Sequence, residues 1–418
     1  MNSKWTEYEL GELLPYEQPT PYIVKSTDYN DAYKIPVLTA GKSFILGYTN
    51  ESEGVFDKLP VIIFDDFTTA TQYVNFKFKV KSSAMKILHI NSELVTPKYI
   101  FYRMQTIQFD HSTHKRYWIQ QYSKIKISVP PLPEQERIVA RIEELFSELD
   151  KAVETLKTTN QQLVVYRQAV LKEAFTGTLT HSWRQNNPSV NSSTTLQNIK
   201  NSNKTVGRFD LIEDIFLPQL PSSWEWISIG EISTGAEYGT SSKSKKTGIV
   251  PVLRMGNIRN GLFDWNDLVY TNDKAEIEKY MLHNGDVLFN RTNSPELVGK
   301  TAVFRGGHQA VYAGYLIRIN QVPQINPHYL AFYLNSCIAK SYGNKVKTDG
   351  VNQSNINSKK LYSYPFPLCS KQEQDKIVLE LESRLSCCDQ IEKTIEQSLQ
   401  QAEAMRQSIL KQAFEGRL

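Results

Sequence analysis

The sequence predicts an α+β chain in which globular and helical material alternate twice. Three observations predict it. A stretch near the middle of the chain recurs at its C-terminus at a constant offset. Both copies carry the apolar stripe of a long helix. The segments ahead of them are rich in Tyr, Phe, Val, Ile, Gly and Asn, with short apolar runs. The 418 residues suffice for two to four domains at roughly 100–200 residues each. With 40% hydrophobic and 22% charged residues, the collagen-like, mostly disordered and small disulfide-stapled classes are excluded.

The first globular segment, residues 1–129, contains Val61-Ile62-Ile63-Phe64, which reads as a strand. Residues 130–180 form the first helical segment. Pro130, Pro131 and Pro133 mark its start, because proline fits the approach to a helix but not its interior. A heptad stripe follows through Ile138, Ile142, Leu145, Leu149, Val153, Leu156, Leu163, Val170 and Ala174. Residues 181–223 read as a linker, with Asn191-Ser192-Ser193-Thr194-Thr195 and Asn201-Ser202-Asn203. The stretch 209–220 is apolar enough to dock on a neighbour. Residues 224–368 are the second globular segment, where Val287-Leu288-Phe289 reads as a strand. Residues 369–418 are the second helix, after Pro365 and Pro367. Its stripe runs through Ile377, Leu381, Cys388, Ile395, Leu399, Ala402, Ile409 and Ala413.

The two helical segments are copies. Positions 134–179 match 373–418 at 18 of 46 places, all at an offset of 239 and without a gap. Gly177 and Gly416 suit a left-handed residue at a helix C-terminus. About 40 helical residues extend about 60 Å, and so long a stripe needs a partner. The duplicate is the obvious one, and a dimerisation helix is the alternative. The globular segments repeat more faintly: Leu10-Gly11-Glu12 resembles Ile229-Gly230-Glu231, and Ile35-Pro36-Val37-Leu38 resembles Val250-Pro251-Val252-Leu253, at offsets of 219 and 215.

The net charge of +4 is unevenly spread. Residues 1–129 carry +2 and 224–368 carry +5, the helical segments −2 each and the linker +1. A nucleic-acid surface therefore belongs on the globular segments. The candidates in the first are Lys42, Thr68, Thr69, Gln72, His111, His114, Lys115, Arg116 and Trp118. In the second they are Lys243, Lys245 and Lys246; Arg254, Asn257 and Arg259; Asn290, Arg291 and Asn293; and Lys345, Lys347, Asn352, Gln353 and Asn355. Arg and Lys can read guanine edges, Asn and Gln can read adenine edges, and lysines can hold phosphates. Each cluster alone is weak, since a run of Lys or Asn in a loop is usually just solvated; together, in net-basic segments, they favour DNA.

Catalytic signatures are missing. Gly299-Lys300-Thr301 lacks the first glycine of a phosphate loop, because position 294 is Ser294. His111 and His114 lack a third metal ligand of suitable spacing. Asp65-Asp66 suits a turn or hydrogen-bonding role. There is no G-x-S-x-G, no H-E-x-x-H and no dinucleotide fingerprint. There is also no Asn-Pro-Pro-aromatic tetrapeptide of an amino-methylating enzyme, since Asn187-Pro188 and Asn326-Pro327 are lone dipeptides. Cys337, Cys369, Cys387 and Cys388 read as reduced thiols packed as small apolar groups. The N-terminus lacks an apolar signal core and no stretch is long enough to span a membrane, so a cytoplasmic protein is expected.

The plan closely resembles the DNA-specificity subunit of type I restriction–modification systems, over nearly the whole chain. The residues that carry the resemblance are Pro-Pro-Leu-Pro-Glu-Gln-Glu at 130–136, Arg-Gln-Ala-Val-Leu-Lys-Glu-Ala-Phe-Thr-Gly at 167–177, its copy at 406–416, and Trp183-Arg184. Pro251-Val252-Leu253-Arg254 and Gly285-Asp286-Val287-Leu288-Phe289 resemble the family's recognition-domain framework, which 61–66 matches only loosely. The resemblance implies two target-recognition domains, 1–129 and 224–368, separated by spacer helices that pair as an antiparallel coiled coil with pseudo-twofold symmetry. Each domain would read one half of a split, asymmetric duplex DNA site. It implies a subunit that is not itself an enzyme. Two methyltransferase subunits, carrying S-adenosylmethionine and methylating adenine, and restriction subunits using ATP and Mg would be its partners, with no cofactor in this chain. A coiled-coil adaptor without DNA specificity and an enzyme acting on DNA alone are the rival classes.

Overall fold

The computed structural model describes residues 5–39, 43–109, 116–201, 204–209 and 216–418. The chain divides into two compact units. The first comprises 1–158 with 395–418, and the second 159–394. Each long helix therefore contributes to both units.

The first unit is built on a four-stranded antiparallel sheet in the order Tyr16–Glu17, Met85–His89, Val61–Asp65 and Thr71–Val74. A three-stranded sheet places Ile35–Leu38 between Ile45–Thr49, antiparallel, and Lys79–Val80, parallel. Thr6–Glu9 pairs with Lys126–Val129, the strand that leads into the first long helix. That helix spans Leu132–Phe175. One core joins Leu10, Phe64, Leu88, Tyr99, Trp118 and Tyr122 to Ile138 and Ile142 of the first long helix. Leu410 and Ala413 of the second complete it.

The second unit repeats this frame strand for strand. Its four-stranded sheet runs Ser233–Tyr238, Leu316–Gln321, Val287–Asn290, Thr301–Val303. Its three-stranded sheet places Val250–Leu253 between Val269–Thr271, antiparallel, and Val311–Tyr312, parallel. Glu225–Ser228 pairs with Pro365–Leu368 ahead of the second long helix, Lys371–Phe414. Pro365 and Pro367 thus sit in a strand of a two-stranded sheet, where a missing amide is tolerated. Ser370 caps the helix by accepting from the Glu373 amide.

The third strand of each four-stranded sheet closes its following turn in one way. In the first unit the Thr69 amide donates to Asp65 O and the Asp65 amide to Ala70 O. In the second, the Gly299 amide donates to Asn290 O and the Asn290 amide to Lys300 O. Both closing residues are left-handed, with φ of +57° at Thr69 and +91° at Gly299. That region suits glycine and strains a β-branched residue. The turns enclose residues 66–68 in one unit and 291–298 in the other.

The repeated Glu-Gln pair explains part of the frame. Gln135 donates to Leu94 O and Pro130 O and accepts from the Thr96 amide at 2.8 Å. Gln374 donates to Gln324 O and Cys369 O and accepts from the Asn326 amide at 2.8 Å. Each buried glutamine pins the start of a helix, Pro97–Met104 or Pro327–Leu334, to the base of a long helix.

The long helices pair antiparallel in both units. Arg406 pairs with Asp150 in the first unit, and Arg167 with Asp389 at 2.7 Å in the second. These are one pair written twice, since both residues recur at the offset of 239. Residue i of one copy meets residue j of the other and the reverse, the contact pattern of an isologous pairing. None of the stripe residues named above is exposed. Ile138, Ile142, Val170, Ile377, Leu381, Cys388, Ile395 and Ala402 are buried; Leu145, Leu149, Val153, Leu156, Leu163, Leu399 and Ile409 are half-buried. Two helices alone cannot cover every seam position. Gly177 and Gly416 adopt φ of +80° and +72° just past the helix ends.

The stretch read as linker is partly helical. His181–Asn186 and Ser192–Asn201 are helices, and Ile199 joins the core of the second unit. Its Asn- and Ser-rich composition hides these because Ser192 and Thr195 are among its buried residues. Cys369 and Cys388 are buried, whereas Cys337 and Cys387 are exposed, so only the first two pack as apolar groups.

Candidate nucleic-acid interface

The second unit gathers most of its candidate residues at one end of its four-stranded sheet. Arg291, at the end of strand Val287–Asn290, is the hub. Its guanidinium stacks on Tyr238, 4.8 Å from the ring centroid, and donates to Gly314 O and to Asn355 Oδ1. Its backbone amide donates to Tyr315 O, and its carbonyl accepts from the Ile356 amide. Asn355 donates to Thr292 Oγ1 at 2.7 Å. Thr292–Asn293, Ser354–Asn355 and Thr348–Asp349 form a small sheet, so sequence clusters some 60 residues apart become neighbours. Asn293 is half-buried and caps the Ser294 amide.

The lysine loop is fastened to the three-stranded sheet and to the turn that follows it. The Thr240 amide donates to Tyr312 O, the Gly314 amide to Thr240 O, and Lys245 exchanges backbone hydrogen bonds with Tyr270. The side chains of Lys243, Lys245 and Lys246 project outward from that fixed backbone. Lys345 is exposed, while Lys347 reaches Pro295 O at 3.3 Å and Asp349 at 3.7 Å. Asn352 and Gln353 are exposed.

Arg254 and Arg259 belong to a separate group. Arg254 pairs with Asp267, and Arg259 with Asp264 at 3.0 Å. Asn257 is buried and corrects the sequence reading. Its Oδ1 accepts from the Arg254 amide and its Nδ2 donates to Asp264 O and Asn266 O, so it holds a turn together. Asn290 is a second correction. It sits inside the sheet with no exposed surface, and its amide cannot reach a base edge.

In the first unit, Thr68 is exposed and Thr69 half-buried in the turn after strand Val61–Asp65. Asp65 accepts from the Phe67 and Thr68 amides, the turn role expected of it. Gln72 is exposed on strand Thr71–Val74. Arg116 is exposed at the same end, because the next residue, Tyr117, donates its amide to Asp66 O. Trp118 is a third correction. It is buried, and its ring meets Phe64 edge-to-face and stacks on Tyr122. Lys42, His111, His114 and Lys115 lie outside the described residues.

Sequence reasoning missed Tyr238 and Tyr315, both partly exposed beside Arg291. A lone tyrosine in an edge strand or turn carries no sequence signal. It passed over Lys300 as part of a failed phosphate loop. Partial burial, with Lys340 and Arg259 as neighbouring like charges, holds the Lys300 ammonium below the usual lysine range. Among the described residues, no three His, Cys, Asp or Glu gather where they could hold a metal ion, and no helix is long and apolar enough to cross a membrane.

A doubled α+β frame on paired helices, with a basic and amide-rich edge on its second unit, fits a nucleic-acid-binding protein. The family described as type I restriction modification DNA specificity domain matches residues 2–163 and 221–401, and the chain belongs to that family. It is 33% identical over 389 residues to the EcoR124I/EcoR124II specificity subunit of Escherichia coli, covering 88% of this chain and 84% of that one. It is 30% identical over 303 residues to the EcoKI specificity subunit of Escherichia coli K12, covering 71% of this chain and 58% of that one. A chain from a solved type I restriction–modification complex superposes over 100% of this chain and 99% of its own, with a TM-score of 0.69 at 17% identity. The HsdS subunit of Thermoanaerobacter tengcongensis gives 0.52, again at 17% identity, over 100% and 98%.

Proposed function

We propose that this chain is the non-catalytic DNA-reading subunit of a type I restriction–modification complex. Each unit reads one half of a bipartite, asymmetric duplex site. Two partner methyltransferase subunits, carrying S-adenosylmethionine, methylate an adenine in each half, and restriction subunits using ATP and Mg join that complex in the cytoplasm. The observation that carries this reading is the frame repeated strand for strand with unlike segments inserted into it. A doubled frame supplies two equivalent positions along a duplex, and unlike inserts supply two different half-sites.

The test is methylation mapping. The chain is co-expressed with its methyltransferase partner in a methylation-free host, and the genomic DNA is sequenced for N6-methyladenine. One split motif with a fixed gap is expected, and exchanging residues 1–129 is expected to change only one half of it. A soluble complex that leaves no motif sinks the reading. Binding carries its own signature. Replacing Lys243, Lys245 and Lys246 together by alanine is expected to weaken affinity evenly across sequences. It should also flatten the plot of log affinity against log salt by about 3, since each lost phosphate contact removes about 0.9. An unchanged slope in a titration of duplex DNA shows that these lysines touch no phosphate.

A further inference from the structure

Residues 348–355 form a β-hairpin whose tip carries three side chains with no partner among the described residues. The two strands pair Thr348 with Asn355 and Asp349 with Ser354, and the Gly350 amide closes the loop onto Gln353 O at 2.7 Å. Ser354 donates to Asp349, and Lys360 donates to Thr348 at 2.6 Å. Thr292–Asn293 adds a third strand, and Arg291 clamps Asn355. The ribbon is therefore fixed at its base.

Its tip is the opposite. Val351 is 100% exposed, and Asn352 and Gln353 project beside it. An isolated apolar side chain held fully in water on a braced support contributes nothing to folding. An amide pair beside it makes no internal hydrogen bond.

The place of the hairpin in the frame adds a second argument. Tyr117 hangs on the carbonyl of Asp66, and Ile356 hangs on the carbonyl of Arg291, the residue next after the equivalent strand. The attachment that follows the hairpin is thus shared by the two units.

We propose that this hairpin is the base-reading element of the second unit, entering the major groove so that Asn352 and Gln353 face an adenine edge and Val351 a thymine methyl. The proposal rests on the reading of the chain as a DNA-specificity subunit. A two-stranded ribbon fits the major groove, where adenine offers an acceptor and a donor side by side to an amide and thymine offers its methyl group. Lys359 follows the ribbon on the exposed surface, near where the phosphates would run.

The experiment compares Val351→Ala, Asn352→Ala and Gln353→Ala with the parent chain, each in complex with the methyltransferase partner, by the same genomic mapping. The substitutions sit on an exposed tip and leave every bracing hydrogen bond in place, so the complex assembles. Discrimination at one or two adjacent positions of one half-site is expected to fall on the order of 10- to 100-fold for the amide variants. The other half and the gap stay unchanged. A motif that survives intact in all three variants overturns the proposal. So does a uniform loss of methylation with the motif unaltered, which marks a contact with the partner protein. A parent chain that directs no split motif overturns the subunit reading itself.

Discussion

Replacing Glu373 by alanine is expected to destabilise the second unit by about 3–5 kcal/mol, while the same change at its copy, Glu134, should cost less than about 1 kcal/mol. Glu373 is 1% exposed and accepts from Thr180 Oγ1 and Arg184 Nη1, both at 2.7 Å, and from Trp224 Nε1 at 2.8 Å. Arg184 is itself largely buried, stacked 5.5 Å from the Trp224 ring centroid. Removing the carboxylate leaves a guanidinium in a poorly hydrated place and strands two further donors. Glu134, by contrast, lies in an exposed pair with Arg137, three residues along its own helix. Water screens that pair and replaces its bonds. Urea unfolding of both variants against the parent checks the difference. Similar midpoints for Glu373→Ala and Glu134→Ala would show that burial does not set the cost.

The first unit has its own buried charge. Asp66→Ala is expected to cost about 3–5 kcal/mol, because it removes one partner of a buried pair and leaves Lys86 without its counter-ion. The two side chains are 2% and 1% exposed, with Nζ 3.4 Å from Oδ2, and the lysine also sits over the Tyr16 ring. Asp66 Oδ1 meanwhile accepts from the Trp118 amide at 2.8 Å and so fixes the helix Tyr117–Gln120. The pair is an ion pair without hydrogen-bond geometry at the lysine, which limits what it returns for its desolvation. Asp66→Asn combined with Lys86→Met is therefore expected to recover most of the loss, since the amide oxygen still serves Trp118 and the thioether fills the space. Thermal unfolding of the single and double variants distinguishes the cases. A double variant as weak as Asp66→Ala would mean that the ionic attraction itself carries the stability.

The helices were legible because their signals are local and periodic. The offset of 239, the stripes and the terminal glycines all reappear as structure. The reciprocal pairs Arg406–Asp150 and Arg167–Asp389 were also present in the sequence at that offset. Each residue taken alone looks like an ordinary solvated helix charge, and only the antiparallel pairing makes it a partner. The doubled sheet frame was much harder to see. Its strands are two to six residues long, and the turns between them differ in length, so no single offset aligns them. Trp118, Asn257 and Asn290 misled for one reason. Residue type proposes a chemistry, but burial decides whether a side chain meets solvent. Arg291 was found as a basic residue after a strand. Its role as the hub joining Tyr238, Gly314 and Asn355 depends on pairings that sequence spacing does not encode.

The turn closed at Thr69 in one unit and at Gly299 in the other bears on how such a chain changes over time. The same two backbone bonds seal a ring of three residues in the first case and eight in the second. Chain-closure entropy grows only with the logarithm of ring size, so this difference costs about 0.9 kcal/mol. Insertions at this seal are nearly invisible to the stability of the sheet. New sequence can accumulate there while the strands on either side keep their register. The fold therefore separates the part that must stay constant from the part free to vary, at a boundary two hydrogen bonds wide.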